Sequence, residues 1–427
     1  ARMPQFAVQP QISGYESTFV DISDVFDYVA PGETKSIEEK TQKSVMEYNT
    51  AADGKQYYAV VTSSLWGLTY NMDIMADYQL PRTSDELVDV CQELLDDGIT
   101  PFTMGGDVDY WKPVVYTWWA QYETLNVFNK YFEGLAYNES LDTWRYSTDI
   151  FTQKGRLYAL EAAEDILLPI TAGGYMDKNA SGYAYMRAQS DFLQGKAAMM
   201  ATGGWIENEM SDSFGDYEIA NIDYLRVPVI SKITEKFDAS SDKSDAKLRE
   251  IVDYVDGVKT EKPTNVTDED IELVRDARNL TYMIGTSQTA CIPCYSTKID
   301  VAKEFLKFFF SDKAAKIYLE SRCGSQLPIT TDFTHDEDLM NSLSNIEKSR
   351  INLLANTNAF FDSRKSPIVY LGGLSAFSHS LTFEKAFGSI NKDDRVLPYD
   401  YYMYDYNYYS ANNGAAWNNL LQNSGLL

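Results

Sequence analysis

Histidine is nearly missing from this chain, with 2 in 427 residues. That leaves little room for histidine-based metal sites or nucleophile–histidine triads. His335 lies in the polar stretch Thr334–Glu337 and reads as solvent-exposed, whereas His379, in Ser375-Ala-Phe-Ser-His379, is the more interesting of the two. Cysteine is sparse as well, at positions 91, 291, 294 and 323. Cys291-Ile-Pro-Cys294 has C-x-x-C spacing, but no second pair completes a zinc site. Its flanks look strand-like, whereas a redox pair is expected at a helix N-terminus. All four thiols are therefore read as buried or incidental. No apolar run reaches the roughly 18 residues of a membrane span. Phosphate-binding P-loops, G-x-G-x-x-G turns and G-x-S-x-G elbows are missing too.

Basic residues are the minority, 37 against 63 acids, for a formal charge of −26. Nucleic acid and anionic membrane surfaces reward Lys and Arg, so neither is expected as a partner. With so many acids, a carboxylate pair suited to glycoside hydrolysis stays open, yet nothing selects one. No catalytic residue and no cofactor is assigned.

What the chain does have is aromatic surface: 31 Tyr, 20 Phe and 7 Trp. Tyr and Trp are rigid and amphipathic, and serve large cores and contact surfaces alike. Hydrophobic residues at 44% suffice for real cores, and the length favours two domains.

Along the chain, strand patterns at 56–62, 65–71, 99–104, 197–201, 224–229 and 282–295 alternate with helical ones, which argues for α/β lobes. Thr83-Ser-Asp-Glu86 reads as a capping box, and Gly98 as the stop of the helix that follows. Thr267 reads as a second cap, with Asp268, Glu269 and Asp270 in its first turn facing the helix dipole. A metal loop is the other reading of those three acids. Ile299, Ala302, Phe305, Leu306 and Phe309 give a helical apolar face. Pro398–Tyr409 is a tyrosine-rich, low-complexity segment.

The central stretch is Gly195–Ile206. Its small apolar run ends at Thr202-Gly203-Gly204, where glycine permits a sharp turn with positive φ, and Trp205 follows at once. Two readings stand: a core tryptophan at a strand end, or an aromatic ring offered to a ligand beside an accessible backbone.

Several segments in order resemble one family, the extracellular solute-binding proteins of carbohydrate ABC importers, which includes maltose-binding protein. Leu68-Thr-Tyr-Asn-Met-Asp73 is similar to its "hydrophobic-x-Tyr-Asn-Lys-Asp" segment. Leu80–Leu87 matches its "Pro-Pro-Lys-Thr-Trp-Glu-Glu" helix, and Gly98–Phe102 the strand after it. Phe192-Leu-Gln-Gly195 through Met200 and Gly203-Gly-Trp205 matches a "Phe-x-x-Gly-x-x-Ala-Met" run with its Gly-x-Trp turn. Ile292–Ser296, Ala302–Phe308, Gly324 and Leu327-Pro328 complete the order, and Leu374–Phe377 extends it.

The resemblance implies an α/β, two-lobe periplasmic-binding-protein fold of type II, with hinge crossings and a ligand cleft between the lobes. Residues 1–63 with 286–328 would form the N-terminal lobe. Residues 66–283 with 331–427 would form the C-terminal lobe, carrying a helical insertion at 231–280 and the tyrosine-rich tail. The family's opening strand–helix–strand and lipoprotein anchor would lie before residue 1, or else the first lobe is built differently. The implied function is extracellular sugar binding, with an oligosaccharide captured by lobe closure and delivered to the transmembrane subunits of an ABC permease. The protein would be a monomer, a cell-surface lipoprotein or periplasmic. A non-sugar solute on the same fold, such as a peptide or metal complex, and a secreted glycan hydrolase are the alternatives. Carried over by position, the implied ligand contacts are Trp205, Trp111, Tyr110, Trp66, Ser64, Tyr295, Phe377 and His379. A pyranose has an apolar C–H face that packs on such rings, while its hydroxyls need polar partners.

Overall fold

The fully apolar run around Met199 cannot serve a half-solvated sheet face, and it forms a strand buried along its whole length. In a computed structural model, residues 7, 17–51, 53–214, 220–284, 288–321, 324–333, 335–362, 365–375 and 381–427 are described. Phe377 and His379, two of the ligand contacts expected from the sequence, lie outside the described residues, as does Cys323. The chain forms two units. Unit 1 comprises Ala1–Leu65, Met283–Leu374 and Asn419–Leu427; unit 2 comprises Trp66–Tyr282 and Ser375–Asn418. Segment 331–374, assigned from the sequence to the second lobe, thus belongs to unit 1.

Unit 1 holds a core of Ile22, Val25, Phe26, Ile37, Ala59, Ile292, Leu306, Phe310, Leu327 and Ile329. Its strands Tyr58–Val60 and Thr289–Cys291 pair antiparallel. Cys291 ends that second strand and Cys294 is exposed; both thiols are free. Helix Ile299–Phe309 forms as its periodicity predicts, and Leu306 faces the core. Phe305, however, is exposed along with Val301 and Phe308. The five-residue apolar face of the sequence is wider than the stripe that the core covers.

In unit 2 the strands are β1 (Ser64–Asn71, entering from unit 1), β2 (Phe102–Thr103), β3 (Leu135–Asn138), β4 (Thr143–Tyr146), β5 (Met199–Gly203), β6 (Ile222–Leu225) and β7 (Leu280–Ile284, leaving for unit 1). β5 lies antiparallel to β1, pairing Trp66 with Gly203 and Tyr70 with Met199. β6 takes the other edge of β1 from Leu68 to Asn71, and β2 runs parallel to β5. β3 and β4 form a separate hairpin. The helices are α1 (Ser84–Asp96), α2 (Lys112–Glu123), α3 (Leu125–Glu133), α4 (Lys154–Leu167), α5 (Tyr185–Leu193), α6 (Ile206–Phe214), α7 (Asp245–Val255), α8 (Asp268–Arg278), α9 (Phe383–Gly388) and α10 (Pro398–Asn423, kinked at 411–414 and ending in unit 1).

The local signals mostly act as expected. Thr83 caps α1 through its hydroxyl, which accepts from the Glu86 amide. Glu86 does not complete the box; its carboxylate accepts from the Arg82 amide and guanidinium instead, because a full positive charge outcompetes a neutral amide. Gly98 takes a positive φ after α1. Thr267 and Asp270 form a complete capping box on α8. Asp268 there pairs with Lys262, so two of the three acids of the metal-loop reading are occupied by cap and ion pair.

The dense aromatic stretch after Gly106 mostly builds core. Trp118 and Trp119 are fully buried, with Trp119 edge-on to Phe128 at 4.8 Å and to Tyr131 at 5.0 Å. The tyrosine-rich segment is helical and belongs to this core. Tyr401 and Tyr402 are buried, and the Tyr409 ring stacks on Phe151 at 5.1 Å. One face of this helix, with Tyr401, Tyr402 and Asp405, is buried, while Tyr399, Tyr404 and Tyr408 are exposed, so packing rather than composition sets its two sides.

Candidate ligand-binding site

The end of β5 sets the site. The strand runs through Gly203, two residues beyond its expected end, because its ladder with β1 continues to Trp66. Neither Gly203 nor Gly204 takes a positive φ. Glycine is required at 203 for a different reason: a Cβ there would lie 2.0 Å from Cζ3 of the Trp205 ring. The indole folds back over the bare backbone of Gly203, a close approach that only glycine permits. It thereby meets Trp66, the residue cross-strand from Gly203.

Three half-buried rings form a corner. Trp66 and Tyr110 are 6.1 Å apart at 86°, Trp66 and Trp205 6.0 Å at 67°, and Tyr110 and Trp205 6.0 Å at 62°. These are favourable edge-to-face geometries. Tyr185 extends the row from Tyr110 at 6.4 Å, and buried Tyr282 backs Trp66 at 6.1 Å. Trp66 and Tyr282 are the residues of unit 2 next to two chain crossings.

Tyr110 is delivered by the turn after β2. A Cβ on Gly106 would stand 1.8 Å from the Ser181 carbonyl oxygen, and one on Gly105 2.6 Å from the Tyr185 Cα. The two glycines let segment 181–185 press against this turn. The Gly106 amide donates to the Tyr183 carbonyl, and the Tyr185 amide donates to Asp107, each at 2.8 Å. This clamp places Tyr185 beside Tyr110.

Two polar side chains complete the frame. Gln189 follows Tyr185 by four residues on α5, and Glu209 follows Trp205 by four at the start of α6. An i, i+4 spacing sets each pair on one helix face. The buried Gln189 amide donates to Glu209 at 2.9 Å. Burial pushes the Tyr110 hydroxyl up to about 12, opposed by hydrogen bonds from Trp205 and Gln189 and assisted by the Glu209 charge. Burial also raises the Glu209 carboxyl above its ordinary value.

Of the residues expected from the sequence, Trp66, Tyr110 and Trp205 come together. Trp111 does not join them: its ring is 0% exposed, against Phe102 at 5.4 Å and Trp118 at 6.3 Å. It is a core residue, because its position at the start of α2 turns it inward while Tyr110 faces the corner. Ser64 is buried in unit 1, and its hydroxyl donates to the Gly324 carbonyl at 2.7 Å. Tyr295, also in unit 1, is 84% exposed. Tyr185, Gln189, Glu209 and Tyr282 are site residues that the sequence reading misses. The i, i+4 pairing of two of them with aromatics is the signal that could have found them.

A buried acid supports the Tyr110 turn from behind. Glu384, at the first turn of α9, is fully enclosed and accepts from the Trp111 amide at 2.8 Å. Burial, with the Asp109 charge adding to it, holds its carboxyl well above the ordinary value near 4.5. Folded protein therefore keeps this proton at pH values where the unfolded chain has lost it, so the group lowers stability as pH rises. Glu384→Gln keeps the acceptor for Trp111 and removes the titration. Its melting temperature should equal that of the wild type near pH 4 and exceed it increasingly toward pH 8. A variant less stable than wild type at pH 8 contradicts this.

A family model, bacterial extracellular solute-binding protein, matches residues 16–316. Among curated proteins none matches in sequence. Solved structures do match in fold. One comes from work on xylan utilisation by the thermophilic bacterium Caldanaerobius polysaccharolyticus, at 15% identity and TM-score 0.56, covering 94% of this chain and 82% of that one. The solute-binding protein RafE in complex with raffinose has 13% identity and TM-score 0.51, covering 99% and 83%. A Streptococcus pneumoniae solute-binding protein in complex with the blood group A-trisaccharide has 15% identity and TM-score 0.50, covering 96% and 88%.

Proposed function

The chain belongs to the bacterial extracellular solute-binding protein family, and from that premise we propose that it captures a carbohydrate, with an oligosaccharide as the favoured class. The observation that carries this reading is the ring corner of Trp66, Tyr110 and Trp205, half-exposed in unit 2. Indole and phenol faces suit the C–H face of a pyranose, and Glu209 and the Tyr110 hydroxyl supply polar partners for its hydroxyls. The raffinose and blood-group trisaccharide complexes of the fold neighbours point the same way.

In this reading the protein performs no chemistry. Sugar binding favours a closed arrangement of the two units by population shift. The liganded monomer then delivers the sugar to the transmembrane subunits of an ABC importer at the outer face of the cell, as a lipoprotein or a periplasmic protein.

The test is a thermal melt of the full chain against plant, host and storage oligosaccharides, followed by calorimetry of the hits. Ligand at about a hundredfold above Kd adds about 2.7 kcal/mol. That should raise the melting temperature by roughly 3 °C for a chain of this length. A panel with no shift, or release of reducing sugar by the purified protein, would sink the reading.

A further inference from the structure

Among the described residues, Glu209 is a carboxylate beside an aromatic corner with no cation to match it. Its described partner is the neutral amide of Gln189, and no ion pair of Glu209 occurs among the described residues. By contrast Asp191, on the same helix α5 as Gln189, holds both Arg187 at 2.6 Å and Lys196 at 2.7 Å. The contrast matters because the chain is strongly acidic, at −26, so an unmatched carboxylate adds to a field that already draws cations.

Gln189 shows that the carboxylate is held in place at a cost. The side chain is fully buried, and its Oε1 has no donor among the described residues. Turning the amide over would set that oxygen against the Glu209 carboxylate, so the observed orientation is the one the pair allows. Buried acceptors without donors are rare in folded proteins. Here the orphan is the counterpart of an amide committed to Glu209. Trp205 immediately precedes α6, and the Glu209 amide in the first turn of that helix donates to the Trp205 carbonyl at 2.8 Å. The carboxylate is therefore fixed one helical turn from the indole, next to the Tyr110 hydroxyl.

Ring faces at steep angles with an adjacent carboxylate suit an ammonium group. The rings attract the cation through their quadrupoles. An ammonium offers three donors and no acceptor, which fits a carboxylate that can only accept.

We propose that this site prefers a sugar carrying a free amine, a 2-amino-2-deoxy sugar, with the ammonium on Glu209 against the Trp66, Tyr110 and Trp205 rings. The proposal rests on the carbohydrate reading of the same site and can fail separately from it.

The probes are three β-1,4-linked disaccharides of one backbone: the diglucosamine, its di-N-acetyl form and cellobiose. Each is titrated calorimetrically into the full chain at pH 6 in low and high salt. The diglucosamine should bind about tenfold or more tightly than either neutral sugar, and its affinity alone should fall with salt. Glu209→Gln, checked for an unchanged melt, should abolish the difference, because the diglucosamine loses about tenfold or more beyond any loss that the two neutral sugars share. If that variant does not fold, the salt dependence decides. Equal binding of all three, an equal loss for all three in Glu209→Gln, or no binding of the diglucosamine overturns the proposal. Binding of any neutral glycan in the wider panel keeps the carbohydrate reading alive in each of those cases.

Discussion

Asp405→Ala is expected to lower the unfolding free energy of unit 2 by about 3–5 kcal/mol, the cost of leaving a buried charge without its partner. Arg156 and Asp405 are 0% and 2% exposed as side chains, and they pair at 3.1 Å. The guanidinium also donates to the carbonyls of Phe151 at 3.2 Å and Tyr402 at 3.4 Å. The rings of Tyr131 and Tyr402 lie 5.7 Å and 5.8 Å from it. Carbonyls and rings carry no full charge, so they cannot neutralise the guanidinium once the carboxylate is gone. Urea unfolding should show a lower midpoint with little change in slope. The double replacement Arg156→Met with Asp405→Leu should recover much of the loss, since an apolar pair carries no desolvation cost. A loss below about 1 kcal/mol for the single change would mean that water reaches the pair.

The same substitution should reach the ring corner. Asp405 lies on α10, whose Tyr401 packs on Phe383 at 5.6 Å and Phe387 at 5.7 Å. Those rings flank Glu384, which holds the Trp111 amide behind Tyr110. Loosening the tail helix should therefore weaken ligand binding as well as stability.

Trp205→Ala is expected to weaken sugar binding by about thirtyfold or more, the scale of a central tryptophan contact. Its effect on folding should be smaller than that of a core tryptophan, because the ring is only half-buried. Gly203→Ala supplies an independent arm. The backbone there is ordinary strand, so alanine meets no conformational penalty, and the nearest atoms to the added Cβ belong to the Trp205 ring, at 2.0 Å. The ring must leave its seat, and affinity should fall by about tenfold or more. In the Trp205→Ala background the same glycine change should cost almost nothing, since the group it clashes with is gone. Calorimetry of the four proteins with one sugar closes the cycle. Additive losses would show that the ring does not sit on Gly203.

How far the site can be read beforehand follows from the kind of signal each residue gives. Trp205 is legible because a strand, glycines and an aromatic stand consecutively. Tyr110 and Trp111 are indistinguishable in sequence. Adjacent residues at a helix start point in different directions, and only the packed neighbours Phe102, Trp118 and Glu384 decide which one is core. Glu209 and Gln189 look like ordinary polar positions on helices. Their pairing depends on how α5 and α6 approach, which no local pattern encodes.

The sequence by itself determined the alternation of strands and helices, the caps at Thr83 and Thr267, and the order of motifs that marks the family. These are local properties, set by side-chain periodicity and backbone hydrogen-bonding needs. The tertiary structure decided the rest. It turned the tyrosine-rich segment into a core helix around Arg156. It also gave Gly203 its purpose, which is room for a ring rather than freedom of φ. That distinction depends on what lies above the glycine. The indole arrives there as a folded-back side chain and rests against Trp66, the cross-strand partner of Gly203 from a distant part of the chain.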